Sequence, residues 1–266
     1  MTNRLNLGII ALCAVWMATG CSTAPGGRPQ LMLINENEEM QLGAEAYAEI
    51  LSGESISVDA DMAAVVQRVG LRIAEQADRP DFEWEFKLIE SPQINAFCLP
   101  GGKIAVYTGI LPIMKNEAGM AAVIGHEVAH AVARHGGERM SQHMTVVAVQ
   151  EFVDNNLGGV SETTHDAAMA AIGLGAQFGV LLPYSRTHEL ESDELGLFYA
   201  ARAGYDPREA VKVWERMSAL NQNKPFEFFS THPAEERRID ELNDLMEDAL
   251  EEYEDAQTKY GLGQAF

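Results

Sequence analysis

The segment Gly125-His126-Glu127-Val128-Ala129-His130 constrains this 266-residue chain more than any other stretch. Met120-Ala121-Ala122-Val123-Ile124 precede it, and Ala131 and Val132 follow. The surrounding helix is therefore apolar nearly all round and belongs in a core. Two imidazoles and a carboxylate inside such a helix each cost free energy unless partners meet them. Residues four apart share a helix face, so His126 and His130 can aim at one spot. Glu127, about 100° round the helix from His126, stays beside that spot. A cation held by two neutral nitrogens, with a carboxylate placed to take a proton from a bound water, accounts for all three residues together. That is the equipment of metal-assisted hydrolysis.

Two nitrogens leave a zinc site incomplete; a third protein ligand is needed, with the fourth position left to water. His135 lies one position short of where the HExxHxxGxxH pattern puts its third histidine, and Ala133 stands where that pattern has glycine. His135 is accordingly read as a surface or capping residue. The better source is Ser185 to Gly196, where Glu189 and Asp193 are four apart on a face that continues with Gly196 and Ala200. Small residues there let this helix approach the His126 helix. Glu189 is the expected ligand, with His188 and Glu191 as substitutes. Asp193 is expected to accept a hydrogen bond from the outer nitrogen of a metal-bound histidine and so fix its tautomer.

The remainder reads as an α+β chain, mostly helical. Helices are expected at Asn35–Leu51, after an Asp59 cap, from Asn116 to about His135 where Gly136-Gly137 stop it, at Thr145–Leu157, His165–Leu182, Glu189–Ala203, Asp206–Leu220 and, very acidic, Glu235–Asp255. Alternating Phe82, Trp84, Phe86 and Leu88 mark one strand, and Lys103–Thr108 after Pro100-Gly101-Gly102 a second. The stretch Glu138 to Leu182 is either a lid over the cleft or a rigid helical pair.

Arg4, the apolar run Leu5 to Met17 and Ala18-Thr19-Gly20-Cys21 have the layout of a secretory signal. The run falls short of the ~20 apolar residues a bilayer takes. It resembles a bacterial lipoprotein signal, which implies cleavage before Cys21 and acylation of that residue; Ser22 after it points to the outer membrane. Residues 1–20 are then the signal, 21–30 the lipidated cysteine with a Gly/Pro linker, and 31–266 the domain. Cys98 is left without a disulfide partner and reads as a small buried hydrophobe. A net charge of −21 argues against nucleic acid as a partner.

Four blocks carry a family resemblance: Asn95-Ala96-Phe97 with Pro100-Gly101-Gly102 and Ile104 to Gly109; His126 to His130; Ser185-Arg186 with Glu189 and Asp193; and Thr231-His232-Pro233 with Arg238. From about Leu31 to Leu245 the chain resembles the zinc metallopeptidases that include HtpX, the CAAX prenyl endopeptidases and the Oma-type proteases, most nearly the bacterial periplasmic lipoproteins of LoiP and BepA type. The resemblance implies a zincin-like domain with a small β-sheet whose edge strand flanks the active-site helix. It implies one Zn2+ per chain on His126, His130 and Glu189, with Glu127 as general base.

Gly101 and Gly102 permit a tight turn or close backbone approach. The strand Ile104-Ala105-Val106-Tyr107 is expected at the sheet edge, where with Asn95, Gly101 and Gly102 it takes an extended peptide by strand addition. His232 is expected over the cleft, either donating to the oxyanion or occupying the open zinc position. Arg238 pairs either with acids near the site or with its own acidic helix. The implied activity is endopeptidase quality control of unfolded or misassembled envelope proteins, from a lipid anchor on the periplasmic side of the outer membrane. A chaperone or assembly factor for outer-membrane proteins, a structural metal protein and a small-molecule zinc hydrolase are the competing classes.

Overall fold

A computed structural model describes residues 21–157, 186–221, 228, 232, 236–262 and 265–266. The expected signal, the expected helix His165–Leu182 and much of the expected lid lie outside the described residues. The chain divides into two compact units, residues 1–36 with 137–182 and residues 37–136 with 183–266. Among the described residues no helix is long and apolar enough to cross a membrane.

The first unit opens with β1 (Cys21–Thr23) and β2 (Pro29–Leu31), paired antiparallel with Cys21 opposite Leu31. The expected linker at 21–30 is thus a hairpin. Its physical cause is the Ala24 to Arg28 turn, closed by Ala24 N–H to the Arg28 carbonyl at 2.8 Å with Gly27 at φ +84°.

The second unit begins along α1 (Glu36–Gly53) and continues with α2 (Ala60–Ala74), whose cap residue Asp59 accepts from Met62 N–H at 3.0 Å. Three strands follow: β3 (Glu85–Ile89), β4 (Ala96–Leu99) and β5 (Lys103–Tyr107). Their spatial order is β3-β5-β4, with β5 parallel to β3 and antiparallel to β4. The expectation that Ile104 to Tyr107 forms the edge is therefore corrected. Ile104, Ala105 and Val106 are each fully buried, as the unbroken apolar run of a central strand should be. The edges are β3 and β4, and it is β4 that packs on the helix carrying His126 and His130. Gly101 and Gly102, at φ +82° and +84°, make the β4–β5 turn, and a side chain on Gly102 would strike the Trp84 ring.

A short α3 (Leu111–Met114) leads into α4 (Glu117–Val132), capped by Asn116 accepting from Gly119 N–H at 2.8 Å. This helix stops sooner than expected. Arg134 takes the left-handed conformation at φ +56°, and its guanidinium grips the buried Glu39 carboxylate at 2.7 Å. Gly136 and Gly137 consequently lie inside the first turn of α5 (His135–Leu157) instead of ending α4. Within the first unit, Glu138 on α5 receives both guanidinium arms of Arg28 at 3.0 and 2.8 Å.

Then come α6 (Arg186–Arg202), α7 (Arg208–Asn221), α8 (Glu236–Asp244) and α9 (Met246–Asp255). The expected single acidic helix is two, broken at Leu245. α4 runs through the core with α2, α6 and α7 packed on it. Its closest approach to α6 is glycine on glycine: a methyl on Gly196 would lie 2.7 Å from Gly125 C and His126 N.

Candidate metal centre

Helix α4 presents His126 and His130 on one face. The glycine crossing brings α6 close enough for Glu189 to meet them, and His232 enters from beyond α7. One ligand atom from each of His126, His130, Glu189 and His232 falls within 4.8 Å of all the others, and all four side chains are buried. His126 Nε2 lies 3.0 Å from His130 Nε2 and 3.3 Å from His232 Nδ1. Glu189 Oε1 is 3.4 Å from His130 Nε2 and 3.2 Å from His232 Nδ1. Donors bonded to a tetrahedral zinc at about 2.0–2.1 Å stand about 3.3 Å apart, so this spacing fits such an ion.

Charge makes the same point. Glu127, Glu189 and Asp193 are all buried, and among the described residues the guanidinium facing them is that of Arg238, itself 2% exposed. Once metal binding has displaced the His126 proton, these four groups carry an excess of two negative charges, which a divalent cation balances. Among the described residues neither carboxylate oxygen of Glu127 is within ordinary hydrogen-bond geometry of a partner; His232 Nε2 stands 3.5 Å from Oε1. A fully buried carboxylate left so costs several kcal/mol unless something else meets it, on the order given by ion desolvation.

The surroundings hold the donors in place. Asp193 Oδ1 is 2.9 Å from His126 Nδ1, the nitrogen turned away from the cluster. Arg238 locks Asp193 with two bonds, Nε to Oδ2 at 2.6 Å and Nη2 to Oδ1 at 2.7 Å, and reaches Glu189 Oε2 with Nη1 at 2.8 Å. Of the two expectations for Arg238, the structure places it among the site's acids. Its guanidinium lies 3.6 Å above the Trp214 ring. Burial alone would lower the His126 pKa, but hydrogen bonds that the protonated ring donates to the Asp193 and Glu189 carboxylates outweigh it and carry the value up to about 9. Burial would raise Glu189 and Asp193; His232 and Arg238 hold Glu189 well down, and Arg238 with His126 holds Asp193 down. Burial pushes His130 well below the ordinary histidine value.

Other expected residues fall elsewhere. Both sides of β5 are occupied by strand partners, and the Ile104 carbonyl also accepts from Tyr47 Oη at 2.9 Å. Asn95 precedes the edge strand β4; its carbonyl accepts from Tyr107 N–H, while its buried side-chain oxygen has no hydrogen-bond partner among the described residues. Cys98 is buried on β4.

His135 is the clearest correction. It is fully buried, not at the surface, with Nδ1 2.9 Å from His130 Nδ1. Spacing along one continuous helix sends it to another face, but the break at Arg134 returns it. Phe228 was not foreseen: its ring stacks on His232 at 4.4 Å and its carbonyl accepts from His232 N–H at 2.8 Å. The four-residue interval between them is the sequence signal that was available.

The sequence pattern of Peptidase family M48 matches residues 61–246. The chain belongs to that family. It is 36% identical over 216 residues to the mitochondrial metalloendopeptidase OMA1 of Schizosaccharomyces pombe, covering 79% of this chain and 62% of that protein. It is 39% identical over 180 residues to the OMA1 of Arabidopsis thaliana, covering 65% and 34%. To the beta-barrel assembly-enhancing protease of Yersinia pestis it is 24% identical over 210 residues, covering 76% and 43%. The chain spans less than two thirds of the length of each of these relatives. The comparison also corrects the expected location. A periplasmic outer-membrane lipoprotein predicts greatest similarity to the bacterial envelope proteases, whereas the more similar relatives are mitochondrial by name.

Proposed function

We propose that this chain is a zinc-dependent endopeptidase. The observation that carries the reading is the buried donor cluster of His126, His130, Glu189 and His232, with the buried Glu127 carboxylate beside it. When bound, zinc supplies a Lewis acid and a water of lowered pKa at this spot. His126, His130 and Glu189 would hold it, and Asp193 with Arg238 keeps His126 in the tautomer that offers Nε2. Glu127 takes the proton from the attacking water and passes it to the leaving amine. An extended peptide adds to β4, the edge strand beside α4, in place of the central β5.

The position of Nδ1 of His232 within the donor set favours the role of a resting plug over that of an oxyanion donor. Replacing His232 by Ala then raises peptide turnover; a fall supports the donor role, and no change sinks both. The relatives' names support protein substrates, and we assign misfolded or misassembled membrane-associated proteins. The apolar leader ending at Cys21 supports tethering of the domain to a membrane surface through acylation of that cysteine.

The test uses the purified full chain, its zinc content, and cleavage of an unfolded casein with and without chelator. Glu127→Gln is expected to keep the metal and lower turnover by about 10²-fold or more. Proteolysis at the original rate by the pure variant refutes the assignment. One observation favours a second reading: four protein donors surround one point, as in a structural metal site. That reading predicts no proteolysis, and zinc that chelators remove only as the protein unfolds.

A further inference from the structure

We infer that His135 and Glu191 form a relay that positions His130 and tunes its grip on the metal, unlike the carboxylate backing of His126. The inference rests on the metal site proposed above.

His130 turns Nε2 toward the donor cluster, 3.4 Å from Glu189 Oε1, so its proton sits on Nδ1. That nitrogen meets Nδ1 of His135 at 2.9 Å. Two protonated nitrogens do not make a hydrogen bond, so His135 accepts there and carries its own proton on Nε2. Nε2 of His135 in turn donates to Glu191 Oε2 at 3.1 Å. The tautomers of both rings are thereby fixed in series by a carboxylate two hydrogen bonds from the ligand atom. The His135 ring is itself held, stacked on His188 at 4.3 Å with 21° between planes, while Ser192 Oγ lies 3.3 Å from Nδ1.

The two metal histidines are therefore backed differently. His126 meets Asp193 directly, and that charge is largely met by Arg238. His130 receives the Glu191 charge through an intervening imidazole, which polarises along the chain of hydrogen bonds. Both devices raise the donor strength of the ligand nitrogen, and outer partners of this kind commonly set metal affinity within about 10- to 100-fold. The helix break at Arg134 is what makes the relay possible, because it sends residue 135 back over residue 130.

The test measures Zn2+ affinity of the full chain by competition with a chromophoric chelator, together with the visible spectrum of the Co2+-substituted protein. His135→Leu removes the acceptor and is expected to weaken Zn2+ binding about 10- to 100-fold and shift the Co2+ bands. His135→Asn keeps an oxygen near the place of Nδ1 and restores part of the affinity without restoring the contact to Glu191. Glu191→Gln, which leaves the His130–His135 contact intact, shifts the Co2+ bands with a smaller affinity loss. Should His135→Leu fail to fold, the Asn and Gln variants carry the test alone. Zn2+ affinity within twofold of the original, with unmoved Co2+ bands in every folded variant, overturns the relay. Absence of stoichiometric zinc in the unaltered chain would instead overturn the metal site itself.

Discussion

Adding one methyl group to Gly196 tests whether the ligand geometry is set by the α4–α6 crossing. The new carbon would lie 2.7 Å from Gly125 C, 2.7 Å from His126 N and 2.9 Å from Gly125 O, all of them backbone atoms. Non-bonded carbons settle at about 3.5–4.0 Å, so the helices must part by roughly 0.8 Å or more. No side chain can swing aside to absorb this. Overpacking of that kind costs about 1–3 kcal/mol. His126 rides on one helix and Glu189 on the other, so the same shift opens the donor cluster. Misplacement of catalytic groups by about 1 Å costs on the order of 10²-fold in rate.

Gly196→Ala should therefore lower the urea midpoint, weaken Zn2+ binding in chelator competition and depress peptide turnover together. Gly125→Ala, whose methyl would meet Gly196 O at 2.7 Å, should behave alike. Gly53→Ala, with nothing within 4 Å, is the control and should stay within about 0.5 kcal/mol of the original. Unchanged zinc affinity and unfolding midpoint in Gly196→Ala would refute the reasoning.

Three further outcomes are expected. Arg238→Met strands the buried Asp193 carboxylate and should cost about 3–5 kcal/mol in urea unfolding; a loss below about 1 kcal/mol would show that Asp193 is neutralised otherwise. Asp59→Ala removes the α2 cap and should cost about 1 kcal/mol while leaving zinc affinity untouched, so any fall in affinity would contradict the separation of cap and site. Because the His126 pKa is raised to about 9, the metal-free imidazole keeps its proton at pH 7 and must release it when metal binds. Apparent affinity should then climb with pH toward about 9 and level above it. Titration calorimetry in buffers of different ionisation heat reads that proton directly, and zero release would refute the shift.

The helix carrying His126 and His130 was legible because its chemistry conflicts with its setting: two histidines and a glutamate have no business in an apolar helix without a shared partner. Glu189 and Asp193 were legible through periodicity, and Gly196 through its size. The position of His135 was not, because periodicity assumes an unbroken helix and the break came at Arg134, a residue type that rarely takes positive φ and does so here with its charge held by Glu39. The order of the sheet was misread for a related reason. Gly101-Gly102 announces a turn, but which of the flanking strands lies outside depends on β3, which pairs with β5 across a longer connection that local pattern does not encode. The signal for the centre was nevertheless there, in three consecutive apolar residues at 104–106 where an exposed edge would alternate.

On the function proposed above, a carboxylate as buried as that of Glu127 can be met only by a single extended stretch of polypeptide lying along β4. Folded targets are therefore out of its reach until several consecutive residues come loose. On that proposal, the speed at which the chain trims a given protein would gauge how often that protein locally comes apart, and a preference for damaged chains would need no recognition sequence at all.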